Sequence, residues 1–396
     1  MRTISVLERR RAMVRRHYLA GDASGPEAVT HAVIALHASD PASVYLSVLA
    51  RSAASTLADV AQAMYDRRSL VRWLAMRRTL FVLPREDIPM IQAAVSTPLA
   101  ATLRTRLVSQ LKRNGTEPPI DGDAAAWLDD LASRVEHILD ERGAATGAQL
   151  GAAEPGLATS ILVRAPSDRP QNVTTSLLTL MSAEGRLVRG TPVGAWTNRH
   201  HRWELIGRWW PDGIPTCETG QAQQALAHRW LTRFGPATID DLQWWTGWNK
   251  ATTHRALGNL PIAEIDLHGQ PGITLRERDD GPDDTGADVA SLLPALDCTP
   301  MGWKHRDWFL GLDHQAVFDR AGNIGPTVWW NGEIIGSWAI TAAGDLRTRV
   351  PVDRGAAATA AINTVADQLQ QRLGGATVTP VVRTPLELSI TRDQHS

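Results

Sequence analysis

The chain has 396 residues, more than one hydrophobic core usually organises, so two to four modules are expected. With 43% hydrophobic and 21% charged residues and a formal charge of −1, it reads as an ordinary globular protein, not as an indiscriminate binder of polyanions. No apolar run approaches the ~20 residues of a membrane span, and two distant cysteines, Cys217 and Cys298, argue against a disulfide scaffold or zinc ribbon. The first twenty residues are too interrupted by arginine to hold a signal-peptide core, and a cytoplasmic protein is expected.

Residues 4–19 form a basic amphipathic pattern. Residues 26–37 and 41–51 read as two short helices with proline near each start, where its missing N–H costs little. A third starts at Thr56, whose Thr-x-x-Asp spacing resembles a capping box. SLVRWLAMRRTLFVLP then gives two β-rich runs around a short basic turn at 76–78. Three helices followed by a ribbon is the order of a winged helix, with that turn as the wing.

The order recurs. Residues 85–115 are helical, bent or interrupted at Pro89 and Pro98. A helix over 121–143 and a helical step at 144–156 lead to a helix, a strand from Arg186, a Gly-Thr-Pro turn and a second strand ending near Ile206. A third pass starts at Gly220: a helix closed by Gly235, two more over 236–247 and 249–261, then alternating strands over 262–278. An acidic run follows at 276–288. From Leu292 the chain turns to short strands rich in Trp and Gly, with one helix over 355–372. Passes of roughly 80–100 residues indicate tandem modules, not a short-period solenoid. The expected class is α+β: three winged-helix modules over 1–115, 116–218 and 219–288, and a small β-barrel-like domain over 289–396.

Near the N-terminus, His37, Ser39 and Asp40 crowd into four positions before a helix. By residue type the set is competent for hydrolysis. An imidazole with an ordinary pKa of about 6.5 takes a proton from water, a hydroxyl holds that water, and a carboxylate supplies negative charge. The plain alternative is structural: Asp40-Pro41 as N-cap and first helical residue, with Ser39 in the turn and His37 ending the preceding helix. No G-x-S-x-G elbow supports a serine hydrolase.

LARS (49–52), MYDRRSLVRWLAMRRTLFVLPRED (64–87), RFGPATIDDLQWWTGW (233–248), MGWKHRDWF (301–309) and GNIGPTVWWNGEIIGSWAI (322–340) together resemble the winged-helix family that contains the bacterial DNA glycosylases AlkZ and YcaQ. The resemblance implies a DNA-sized concave channel and a catalytic loop carrying Gln-x-Gln, or His-x-Gln, in glycosylase members. This chain has His37-Ala38-Ser39 there, so the glutamines are replaced. It also implies DNA contacts at Arg51, in the Leu-Ala-Arg-Ser motif, and at Arg72, Arg77 and Arg78 of the ribbon. A wing tip needs cations on a short turn, and Arg199 and His200 after the second ribbon's turn are given the same part. Fifteen tryptophans invite a base-stacking reading, but most are expected in cores.

The reading is therefore a monomeric, cofactor-free protein that binds double-stranded DNA, alkylated DNA included, away from any membrane. The candidate chemistry that the resemblance implies is that of a monofunctional glycosylase hydrolysing the N-glycosidic bond of an alkylated purine. Such a base leaves already cationic and needs little acid catalysis, and the Asp40 carboxylate faces the oxocarbenium-like sugar. The alternatives are a non-catalytic DNA-binding or regulatory protein, and a resistance protein that sequesters a DNA-alkylating small molecule.

Overall fold

A computed structural model describes residues 2–163, 171–276 and 288–392. The acidic stretch at 277–287 lies outside the described residues. The chain divides into two compact units: Met1–Val71, Phe81–Arg85 and Gln224–Ser396 form the first, and Arg72–Leu80 with Glu86–Gln223 the second.

The first unit opens with strand β1 (Arg2–Thr3) and helix α1 (Val6–Arg16). A reciprocal cap starts α1: the Glu8 N–H donates to Ser5 Oγ at 3.1 Å and the Ser5 N–H to Glu8 Oε2 at 2.7 Å. Helix α2 (Pro26–Ala32) carries proline in its first turn but stops well short of His37. Ile34 takes a φ of +66°, a left-handed conformation that a helix cannot continue through, and Leu36–His37 become strand β2. The helix expected over 26–37 is thereby corrected. Helices α3 (Pro41–Arg51) and α4 (Leu57–Ala61) follow, α4 started by the Thr56–Asp59 capping box. Strands β3 (Leu70–Ala75) and β4 (Thr79–Pro84) form the ribbon around Met76–Arg78. With β2 they make a sheet in the order β2-β4-β3, and the boundary between the units falls within this ribbon.

In the second unit, α5 (Ile88–Ile91) passes through a π segment, Gln92–Ser96, into α6 (Thr97–Asn114). Each proline sits in the first turn of its own helix, so the interruption falls between them. Strand β5 (Thr116–Glu117), helix α7 (Ala124–Arg142) and helix α8 (Gly147–Ala153) come next. Then follow β6 (Ser160–Ile161), β7 (Gln171–Asn172) and helix α9 (Val173–Ala183). Leu103, Leu107 and Leu111 of α6 pack with Leu128, Leu131, Val135 and Leu139 of α7 and with Leu177 and Met181 of α9, a core built on helical three-and-four spacing. An antiparallel ribbon, β8 (Leu187–Pro192) and β9 (His201–Leu205), completes the unit. The Gly-Thr-Pro expected as its turn lies inside β8, and the turn spans 193–200 instead.

Helix α10 (Thr219–Phe234) returns the chain to the first unit. Helices α11 (Ile239–Thr246) and α12 (Lys250–Leu257) precede β10 (Ile262–Asp266) and β11 (Pro271–Leu275), which pair antiparallel with β1 alongside. Strand β12 (Ala290–Leu293), helix α13 (His314–Val317) and strands β13 (Thr327–Trp330), β14 (Glu333–Ile340) and β15 (Leu346–Arg349) follow. Helices α14 (Ala356–Leu373) and α15 (Pro385–Arg392) end the described chain. The sheet β12-β13-β14-β15 is open, with β12 and β15 at its edges, which corrects the barrel-like expectation to an α+β fold of open sheets. Tryptophans supply much of this core: Trp230 stacks on Phe234 at 5.8 Å, and Trp303 meets Phe234 edge-on at 5.2 Å. No helix among the described residues is long and apolar enough to cross a membrane.

Candidate functional site

The loop from His37 to Asp40 is held from several sides within the first unit. His37 pairs with Phe81 of β4 in register, and its ring meets the Phe81 ring edge-on at 5.3 Å. Its N–H donates to Cys298 Sγ at 3.1 Å, while the Cys298 thiol donates to the Ala35 carbonyl at 2.7 Å. One sulfur thus bridges the backbone on both sides of Leu36. Asp40 occupies the N-cap position of α3, yet its carboxylate makes no capping bond to that helix. Asp40 Oδ2 accepts the Val381 N–H at 3.2 Å instead. The expected cap is met by position and not by side chain. His37 keeps 8% and Asp40 4% of their surface exposed, and Ser39 between them is exposed.

Arg51 has no exposed surface, which corrects the expected DNA contact. It donates to Asp297 through both terminal nitrogens, at 2.8 and 2.7 Å, and also to the Ser47 carbonyl and Thr299 Oγ1. Asp297 further accepts the Ser47 hydroxyl and the Thr299 N–H. Burial alone would raise the Asp297 carboxyl, but the Arg51 charge and these donors hold it below the usual carboxylate range. Thr299 continues the network to His17 Nδ1 at 2.9 Å, and His17 Nε2 lies 3.2 Å from the Arg233 carbonyl. Burial, reinforced by the Arg51 charge, pushes His17 down to about 3 and keeps it neutral.

The other expected cations belong to the second unit. Arg72, for which the resemblance implies a DNA contact, is 3% exposed on β3, its side chain withdrawn from solvent. Arg77 and Arg78 occupy the ribbon turn in left-handed conformations, φ +54° and +58°, with Arg78 exposed and Arg77 half-buried. Arg199 and His200 are exposed in the turn between β8 and β9, where they line a cavity of about 750 Å³. Sequence reasoning missed Asp297 and Cys298, whose partners lie some 250 residues away and leave no local pattern. It also missed Arg189, which lines that cavity together with His201 of the adjacent histidine pair.

A family model of AlkZ-like DNA glycosylases matches residues 30–372. Among solved structures, the DNA glycosylase AlkZ of Streptomyces sahachiroi matches with a TM-score of 0.72 at 20% identity, covering 96% of this chain and 99% of that one. At that identity the likeness carries the fold. No curated protein matches the sequence.

Proposed function

The chain belongs to the AlkZ-like DNA glycosylase family, and from that premise we propose that it binds duplex DNA and hydrolyses the N-glycosidic bond of alkylated purines. In this reading the α2–α4 helices with β3–β4, the α7–α9 helices with β8–β9, and the α10–α12 helices with β10–β11 are its three winged-helix modules. Arg77, Arg78, Arg199 and His200 contact the phosphate backbone. The C1′–N bond breaks first, its electron pair going to the departing purine, whose positive charge is thereby neutralised. The Asp40 carboxylate stabilises the cationic sugar so formed. Ser39 holds the attacking water, whose oxygen then bonds to C1′ as His37 takes its proton.

The observation that carries the loop assignment is the Asp40 carboxylate. It stands at a helix start without capping the helix and accepts the Val381 N–H instead, so the N-cap role does not account for an aspartate there. The experiment is base release from duplex DNA carrying N7-alkylguanine, followed by alkaline strand scission. Wild type is expected to exceed His37→Ala by about a hundredfold or more. Tight duplex binding with no scission above the protein-free background in either protein would replace the enzyme by a non-catalytic damage binder. Quenching of tryptophan fluorescence by an alkylating small molecule, with neither DNA binding nor scission, would leave the sequestration reading.

A further inference from the structure

In the second unit, the cavity of about 750 Å³ is walled by the β8–β9 ribbon and the first turn of α9. Arg189 lines it with only 6% of its surface exposed. The guanidinium lies 4.3 Å over the Trp203 ring and donates to Ser182 Oγ at 2.9 Å, leaving Nε buried without a partner. Arg72 is also buried, and its Nε and one terminal nitrogen have no partner. Among the described residues neither guanidinium meets a carboxylate, and no aspartate or glutamate lines the cavity. Burial, and then the nearby Arg72 charge, lower Arg189 to about 9. Two buried cations without a counter-charge are costly, and an anion entering the cavity beside Arg189 lowers that cost.

The remaining lining narrows the anion. Asn172, at the N-cap of α9, makes no capping bond, so the positive end of an 11-residue helix borders the space. The His201 Nδ1 lies 3.2 Å from the Arg199 carbonyl, so Nδ1 carries the ring proton and the buried, unpartnered Nε2 presents a lone pair. Guanidinium donors beside a neutral acceptor suit an anion that also carries an O–H.

We propose that this cavity is a phosphate site, anchored by Arg189, which takes a group with a free P–OH: a phosphomonoester or inorganic phosphate. The guanidinium donates to the charged oxygens and the P–OH donates to His201 Nε2, with Arg199 and His200 at the mouth. This goes beyond the proposed glycosylase function, because an internal DNA phosphodiester has no O–H to offer.

The test is thermal unfolding near pH 6.5 with inorganic phosphate, sulfate or chloride at equal ionic strength. Phosphate at a hundredfold excess over Kd is expected to raise the wild-type Tm by about 3 °C or more, and sulfate by clearly less. Arg189→Met removes an uncompensated buried charge, so it is expected to melt at or above wild type without phosphate and to gain nothing from it. A 5′-phosphorylated oligonucleotide that reproduces the shift, when its 5′-hydroxyl twin does not, identifies a nucleic-acid end as the source; a shift from inorganic phosphate alone identifies free phosphate. No phosphate-specific shift, or the same shift in Arg189→Met, overturns the site, and sulfate matching phosphate overturns the P–OH contact to His201. Base excision is read separately, so loss of either result leaves the other standing.

Discussion

Arg51 and Arg78 are the same side chain with opposite fates. Arg51 is sealed against Asp297, whereas Arg78 projects from a turn, and no local sequence feature separates them. The difference lies in a carboxylate 246 residues further along the chain. Removing that carboxylate leaves a guanidinium buried without its counter-ion. Asp297→Ala is therefore expected to lower unfolding free energy by about 3–5 kcal/mol in urea titrations. Asp297→Asn, which keeps one acceptor oxygen, should cost less. Where a residue's role is local, the sequence was legible: Thr56 and Asp59 form the reciprocal cap that their spacing announces. Asp40 shows the limit, since it stands where a cap is expected while its carboxylate reaches Val381.

Among elements, amphipathic helices and the β3–β4 ribbon could be placed from periodicity, because each is specified by its own residues. Strand β2 could not. Two residues long, it exists only because Leu36 and His37 find Val82 and Phe81, and their sequence alone continues a helix. The openness of the β12–β15 sheet was hidden for the same reason, since edge pairing is a tertiary choice. The ribbon turn supports a test of its proposed DNA contact. If Arg77 and Arg78 each neutralise a phosphate, reversing both to glutamate should flatten the slope of log K against log salt by about 2 for duplex DNA. Fluorescence anisotropy at four or five salt concentrations measures it. An unchanged slope would place the contact elsewhere.

Across the whole molecule, burial keeps a histidine neutral in each unit: His17 in the first, and His201 in the second, where burial and then the Arg189 charge push it down to about 3. In the unfolded chain both titrate near 6.5, so between that value and about 3 the unfolded state binds more protons and stability falls as pH falls. At pH 5 each histidine is expected to cost about 2 kcal/mol relative to neutral pH, seen as acid-weakened unfolding transitions. His17→Gln should flatten the pH dependence of the first unit and leave that of the second. The two-unit division was not legible as such, because it follows contacts between distant segments; the sequence displays only the recurrence of helices and ribbons.

That division also dictates a timetable. The first unit is assembled from segments on both sides of the second, and Arg51 cannot be buried until Asp297 has been translated. At cellular synthesis rates of about 5–20 residues per second, the 246 intervening residues take roughly ten to fifty seconds. Throughout that interval α3 must keep its guanidinium in water, and by its end every residue of the second unit has already been made.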